Sequence, residues 1–327
     1  MTRQNELQLS AFRIHSLRCF LLLFTSFFPN LLLAQSGGLS FLGLGNGAQE
    51  EARGNTGTAS SIGAAANYYN PARLNSGENS EVLFTHNLWI FDTQSSFVAI
   101  SAKGEESAFG ASFQWFTVGD IPVRTIASEN PVGFFTAQSA ALSVSYARDM
   151  AEGFSIALTG KVLYEKLFVD DAMGAAFDIS ASYAVTPLFQ LGASLQNIGW
   201  MSPLAGESSQ MPTQIRLGAS YRIPLASLKS SILFEANSIT NLSLLLTDNV
   251  TPNSGSLNRT PNQVMLGSEF NYDNIFSVRA GYQFIQTART LSFGVGIGLK
   301  PFQIDYAVIP FSESLGTANM LSVRFLY

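Results

Sequence analysis

A nucleophilic triad needs a base beside its hydroxyl or thiol, and beyond residue 34 this chain offers one histidine, His86. It shares a period-two face with Val82, Phe84, Leu88 and Ile90, an apolar setting that suits an interfacial side chain better than a catalyst. The carboxylate pairs Glu105-Glu106 and Asp170-Asp171 fall in expected loops, where they are read as solvated, with calcium ligation as the competing use. Gly43-Leu44-Gly45-Asn46-Gly47 has the glycines of a phosphate loop but lacks the Lys and the following helix pattern. The expectation is no enzyme: no catalytic residue, no metal ligand and no cofactor.

The elements that would hold such residues point the same way. Charged residues make up 13% of the chain and hydrophobic ones 46%, and the mean hydropathy is +0.19. That charge content is about half the usual level for a soluble domain. The chain is nonetheless too polar for a bundle of membrane helices. Transmembrane barrels occupy this middle ground, because half of each strand faces lipid and half faces a polar lumen. A net charge of −5 without a basic cluster argues against nucleic acid.

The first 34 residues read as a cleaved signal peptide. Arg13, His15 and Arg18 precede a nearly continuous apolar run from Cys19 to Phe28, and Ala34 supplies a small residue for cleavage. Pro29-Asn30 interrupts the run too early for a membrane anchor, which needs ~20 apolar residues. The only cysteine, Cys19, and the second histidine, His15, fall in this leader. The mature chain, starting near Gln35, then has neither disulfide nor thiol chemistry.

Residues 35–79 differ in composition from the rest. They are rich in Gly, Ala, Asn and Ser and show no sustained period of two. Gly and Asn tolerate positive φ, so a compact looping segment is expected, and Phe41, Leu42, Ile62, Tyr68 and Tyr69 argue against a flexible linker.

From residue 80 to 327, strand-length segments follow one another. Phe276, Val278, Ala280, Tyr282 and Phe284 alternate with Ser277, Arg279, Gly281 and Gln283, and Leu291, Phe293, Val295, Ile297 and Leu299 alternate with Ser292, Gly294, Gly296 and Gly298. Strict alternation marks strands with one apolar and one polar face. About fourteen are expected, at 81–91, 94–102, 107–117, 138–148, 153–165, 174–185, 188–197, 213–222, 230–237, 262–271, 274–285, 290–299, 302–309 and 320–327. Short linkers such as Lys300-Pro301 alternate with long polar ones at 118–137, 198–212 and 238–261, the pattern of an outer-membrane barrel. A soluble β-sandwich is the structural alternative.

Charges fall on the face opposite the apolar sets: Lys161, Asp178, Arg216, Glu235, Glu269, Arg279, Lys300, Asp305 and Arg324. An unpaired charge facing lipid would cost ~2–4 kcal/mol at mid-membrane, so this face is expected to point inward. It is rich in small residues, which leaves a wide lumen. Residues 35–79 are the segment of suitable size to fill it as an amino-terminal hatch. The chain closes on Met320 to Tyr327, with Leu321, Val323, Phe325 and Tyr327 on one face. Val323, Phe325 and Tyr327 are expected to form the carboxyl-terminal signal that the barrel-insertion machinery reads.

Ala52-Arg53-Gly54-Asn55-Thr56-Gly57-Thr58-Ala59, followed by Asn67-Tyr68-Tyr69-Asn70-Pro71-Ala72-Arg73-Leu74, resembles the start of the PorV/PorQ family of FadL-like outer-membrane barrels. Asn70, Pro71 and Ala72 match that family's hatch signature. Leu191-Gly192-Ala193-Ser194-Leu195-Gln196-Asn197-Ile198-Gly199, Arg279-Ala280-Gly281-Tyr282, Leu291 to Gly296 and Ile304-Asp305-Tyr306-Ala307 are similar to its later strands. The resemblance implies a fourteen-stranded FadL-like barrel with a hatch in its lumen, set in outer-membrane lipid. It also implies a connection with type IX secretion, whose components or cargo proteins would be the partners. The alternative it carries is a FadL-like transporter with a hydrophobic ligand.

Overall fold

The computed structural model describes residues 39–124, 130–207, 209–242, 262–284, 288–312 and 314–327. The leader and its cleavage position lie outside them, as does nearly all of the polar stretch from Thr247 to Asn262. Fourteen antiparallel strands form one closed barrel in which each strand pairs with its chain neighbours and β1 pairs with β14. The strands are β1 Glu81–Leu88, β2 Thr93–Lys103, β3 Ser107–Val123, β4 Gly133–Ala151, β5 Phe154–Leu167, β6 Asp170–Thr186 and β7 Phe189–Met201. The circuit continues with β8 Gln214–Leu225, β9 Ser230–Asn241, β10 Gln263–Tyr272, β11 Phe276–Phe284, β12 Leu291–Leu299, β13 Phe302–Pro310 and β14 Thr317–Leu326.

Closure removes every free sheet edge, as a membrane requires, because lipid offers backbone groups no hydrogen bond. The alternation decides which face looks where. Leu142, Leu158 and Phe293 are 52%, 60% and 47% exposed, while Ser143, Thr159 and Ser292 beside them are buried. An apolar exterior around a polar interior inverts the soluble pattern and matches a lipid-facing wall.

The inward charges expected from the alternation are buried at Asp178, Arg216, Glu235, Glu269, Arg279, Asp305 and Arg324, and Lys161 is nearly so. Lys300 differs: it is exposed in the turn between β12 and β13. The alternation ends at Leu299, so parity no longer sets the side a turn residue takes.

Two expected loops are partly strand. Within 118–137, β3 continues to Val123 and β4 begins at Gly133. A bulge between Val118 and Ile121, with Asp120 at φ 53°, shifts the parity there. The extra residue hides the period. Within 198–212, β7 runs on to Met201 after Asn197 adopts φ 60°. It stays paired with β6 there, whereas its pairing with β8 ends at Gln196. Residues 89–91, read as strand, follow the end of β1 at Leu88. On β1 the inward face of Glu81, Thr85 and Asn87 includes one apolar residue, Leu83, for a packing reason. Phe84 and Leu88 face outward, and Leu83 packs inward on Ala64, Ala65 and Phe97.

Candidate functional site

Residues 39–80, ahead of β1, carry many buried polar groups, and the strands supply partners to a number of them. The segment contains short helical turns at Ser40–Gly43, Ala48–Ala52, Gly63–Ala65, Ala66–Tyr69 and Pro71–Ser76. None is long enough to be stable alone. Inward wall residues replace the hydrogen bonds that a longer helix would make internally.

Glu235 on β9 accepts from the backbone N–H groups of Gly57 and Ala59, each at 3.0 Å, and from the Ser60 hydroxyl. Glu81 accepts from Ala64 N at 3.0 Å. Ser322 Oγ accepts from Ala48 N at 2.8 Å, and Ser292 Oγ from Gly54 N at 2.9 Å. Each bond satisfies a buried donor that would otherwise cost ~1–3 kcal/mol. Glycines on the inward face leave room for this backbone. A Cβ on Gly281 would collide with Gly54, and one on Gly192 with the Thr58 carbonyl.

Asn70, Pro71 and Ala72 act as one turn. Asn70 caps the Pro71–Ser76 helix by accepting from Ala72 N at 3.2 Å. Its amide donates to Thr58 O at 2.8 Å and to Ala181 O on β6 at 3.0 Å. Pro71 fills the first helical turn, where its missing N–H costs nothing. Ala72 is fully buried among Ala66, Leu74, Ala108, Ala147 and Ala157, so a larger side chain has no space.

A charged network joins this segment to the far wall. Arg279 on β11 donates from Nε to Glu269 at 2.6 Å and from Nη1 to Asp305 at 2.7 Å. The register sets Glu269 directly opposite Arg279. Arg53 reaches Glu269 at 3.7 Å and Glu50 at 3.8 Å. Arg324 lies 3.6 Å from Glu81. On the other side Lys161 pairs with Asp178 at 2.7 Å and donates to Asn197 at 2.7 Å. Arg216 stands 5.6 and 5.4 Å from the ring centres of Tyr68 and Tyr69. Burial pushes the Tyr68 phenol up to about 12, so it remains a neutral donor, here to Leu42 O at 3.1 Å.

Arg279→Met removes the cation between two buried carboxylates. A loss of ~3–5 kcal/mol is expected, measured as a lowered urea midpoint of the reconstituted barrel. Adding Glu269→Gln to that background should restore part of the loss.

The residues considered for chemistry stand apart. His86 lies on the outward face, and its Nδ1 is 3.0 Å from Ser96 Oγ. Among the described residues no carboxylate or amide is hydrogen-bonded to its other nitrogen, so nothing orients the ring as a triad requires. Glu105 and Glu106 are exposed in the β2–β3 turn. Asp170 and Asp171 are exposed at the start of β6 instead of in a loop. Among the described residues no group of three or more potential ligands could hold a metal. The glycines of 43–47 make no phosphate cradle. The carboxyl groups of Glu51 and Glu50 occupy the space over Gly45 and Gly47 and would repel a phosphate. Burial raises the Glu51 carboxyl pKa against the pull of Arg289, with which it forms an ion pair.

Glu51, Arg53 and Arg73 were not foreseen as partners of the barrel. Charged residues inside an otherwise Gly/Ala/Asn segment were the available signal. The similarity noted at Leu191 to Gly199 gains a physical account. Gly192 makes room for Thr58, Gln196 donates to Tyr68 O at 2.9 Å, and Asn197 turns the strand while accepting from Lys161.

At the start of the segment, Leu39, Phe41 and Leu42 pack with Leu163, Met201 and Met211. This apolar nest lies between segment and wall, although the inward face alone carries few large apolar residues.

Comparison with known proteins fits this geometry. The family model for the type IX secretion system protein PorV matches residues 34–239, more than half of the chain. Solved structures of the same fold include the Ralstonia pickettii toluene transporter TbuX, at 18% identity and TM-score 0.60, covering 86% of this chain and 98% of that one. The CymD monoaromatic hydrocarbon channel gives 14% and 0.63 over 86% and 98% of the two chains. A Pseudomonas aeruginosa FadL homologue gives 11% and 0.50 over the same shares. At these identities the likeness is one of fold. Comparison with curated proteins yields no match. The closed fourteen-strand barrel with a lipid-type exterior is that of a Gram-negative outer-membrane protein, and the chain belongs to the PorV family of type IX secretion system proteins.

Proposed function

We propose that the protein is a non-enzymatic accessory of type IX secretion, a barrel whose residues 35–79 act as a hatch and whose outer loops hold a translocon component or a cargo protein. The match to the PorV model over residues 34–239 carries this reading. The polar character of the lumen supports it. Buried ion pairs among Arg53, Glu269, Arg279 and Asp305 give an apolar solute no continuous greasy path past β10–β13. In the same reading the leader is cleaved at Ala34 on export, and Val323, Phe325 and Tyr327 direct insertion.

A transporter of hydrophobic small molecules is the second reading. The apolar nest of Leu39, Phe41, Leu42, Met201 and Met211 favours it, as does a fold shared with structures described as a toluene transporter and a monoaromatic hydrocarbon channel. A deletion strain separates the two. Loss of surface-exposed cargo with normal growth on long-chain fatty acids is expected. Intact secretion with impaired hydrophobic uptake would favour the transporter.

A further inference from the structure

Among the described residues, the buried and half-buried arginines of the lumen share one kind of setting, with one exception. Arg53, Arg279, Arg289 and Arg324 each have a carboxylate within ion-pair distance, and Arg216 sits against two tyrosine rings. Arg73 has neither. It is 8% exposed. Its Nε donates to Ser61 O at 3.2 Å, and its Nη1 to Ser182 Oγ at 3.1 Å and Gln190 Oε1 at 3.2 Å, all neutral acceptors. A guanidinium has five N–H donors, and these bonds leave Nη2 free for another acceptor. Burial lowers its pKa to about 10, with Glu235 opposing, so it stays charged at neutral pH. Glu235 is itself occupied by Gly57, Ala59 and Ser60.

Arg73 lines a cavity of about 450 Å³ bounded by the β4–β5 turn and the facing ends of β6 and β7. These belong to the rim of short turns, which in outer-membrane barrels is the periplasmic one. A volume of this order accommodates a small molecule. Asp149 lines the same cavity. Its oxygens accept from Asn75 Nδ2 at 2.8 Å and Ser155 Oγ at 2.5 Å, again neutral partners. Among the described residues no cation lies within ion-pair distance of Asp149. One cleft therefore holds a fixed cation and a fixed anion, each hydrogen-bonded into place and neither neutralised.

We propose that this periplasmic cleft binds a small zwitterion of the amino-acid or dipeptide class, its carboxylate on Arg73 and its ammonium on Asp149. A buried unpaired charge such as that of Arg73 is costly, and such a ligand neutralises it together with the half-buried Asp149. Arginine suits the carboxylate because its planar N–H donors match the two oxygens. Polyanions are disfavoured by Asp149 and by Glu152, which also lines the cavity.

Titration of the detergent-solubilised full chain with glycylglycine, followed by calorimetry, tests the proposal. Saturable binding is expected in the parent. Arg73→Gln should weaken it at least tenfold, while Lys229→Gln, exposed in the β8–β9 turn on the same rim and outside the cleft, should leave it unchanged. N-acetyl-glycylglycine should bind at least tenfold more weakly than glycylglycine to the parent, and Asp149→Asn should erase that preference. Absence of saturable binding, or unchanged binding in Arg73→Gln, would overturn the proposal, as would equal affinity for the acetylated dipeptide. Should Arg73→Gln fail to assemble, Asp149→Asn carries the test through the loss of amine discrimination.

Discussion

Replacing Phe325 and Tyr327 together with Asp is expected to abolish assembled barrel, read as loss of the heat-modifiable species in outer-membrane fractions. β14 is the closing strand, with Phe325 in register with Val82 on β1 and Phe302 on β13. Phe325 packs on Phe302 at 5.2 Å between ring centres and on Tyr327 at 6.2 Å. Tyr327 N donates to Ser80 O at 3.0 Å. These contacts lie at the short-turn rim. A carboxylate on the lipid face near an interface costs only ~0–1 kcal/mol, against ~2–4 kcal/mol for a basic residue at the midplane. Thermodynamic cost alone is therefore too small to empty the membrane, and a complete loss would have to come from failed recognition by the insertion machinery. Phe302→Asp is the matched control, since it places the same charge at the same rim on the neighbouring strand. Normal barrel from the double substitution, or equal loss from the control, would refute the role assigned to the terminus.

Deleting residues 39–76 is expected to raise single-channel conductance in planar bilayers from near zero to that of an open pore. Fourteen strands enclose a lumen too wide for their own inward Ser, Gly and Ala side chains to fill. The backbone from Ala52 to Ala59 runs over Gly294, Gly281, Gly267, Gly218 and Gly192 on the inner wall, and Glu235 and Ser292 fasten it. Removing it leaves those wall groups to water, which can hydrate them, so the wall should persist as a heat-modifiable barrel. Gly281→Leu is a gentler version, because its side chain would occupy the position of Gly54, and partial, fluctuating conductance is expected. Parent protein that already conducts like a porin would refute the occlusion.

The wall was legible in the sequence because its determinant is local. A strand that separates lipid from a polar lumen must alternate residue by residue, and Phe276 to Phe284 or Leu291 to Leu299 show that in isolation. Strand number followed from counting such segments, and the inward side of Glu269, Arg279 and Asp305 from their parity. Where a single residue breaks the period, as at Asp120 and Asn197, sequence reading lost the strand end, since a bulge is defined by its partner strand. At Lys300 parity ran into a turn and stopped applying.

The partners of residues 39–80 were decided only by tertiary structure. Asn70 meets Ala181, Gly57 meets Glu235 and Ala48 meets Ser322 across 111, 178 and 274 positions, and no local pattern encodes such pairs. The same holds for the apolar nest, which arises only when Leu39, Phe41 and Leu42 are laid on Leu163, Met201 and Met211. It holds most of all for Arg73 and Asp149. Each reads in the sequence as an ordinary charge, and what makes them a site is that closure of the wall around the segment buries Arg73 and half-buries Asp149 in one cleft with neutral partners.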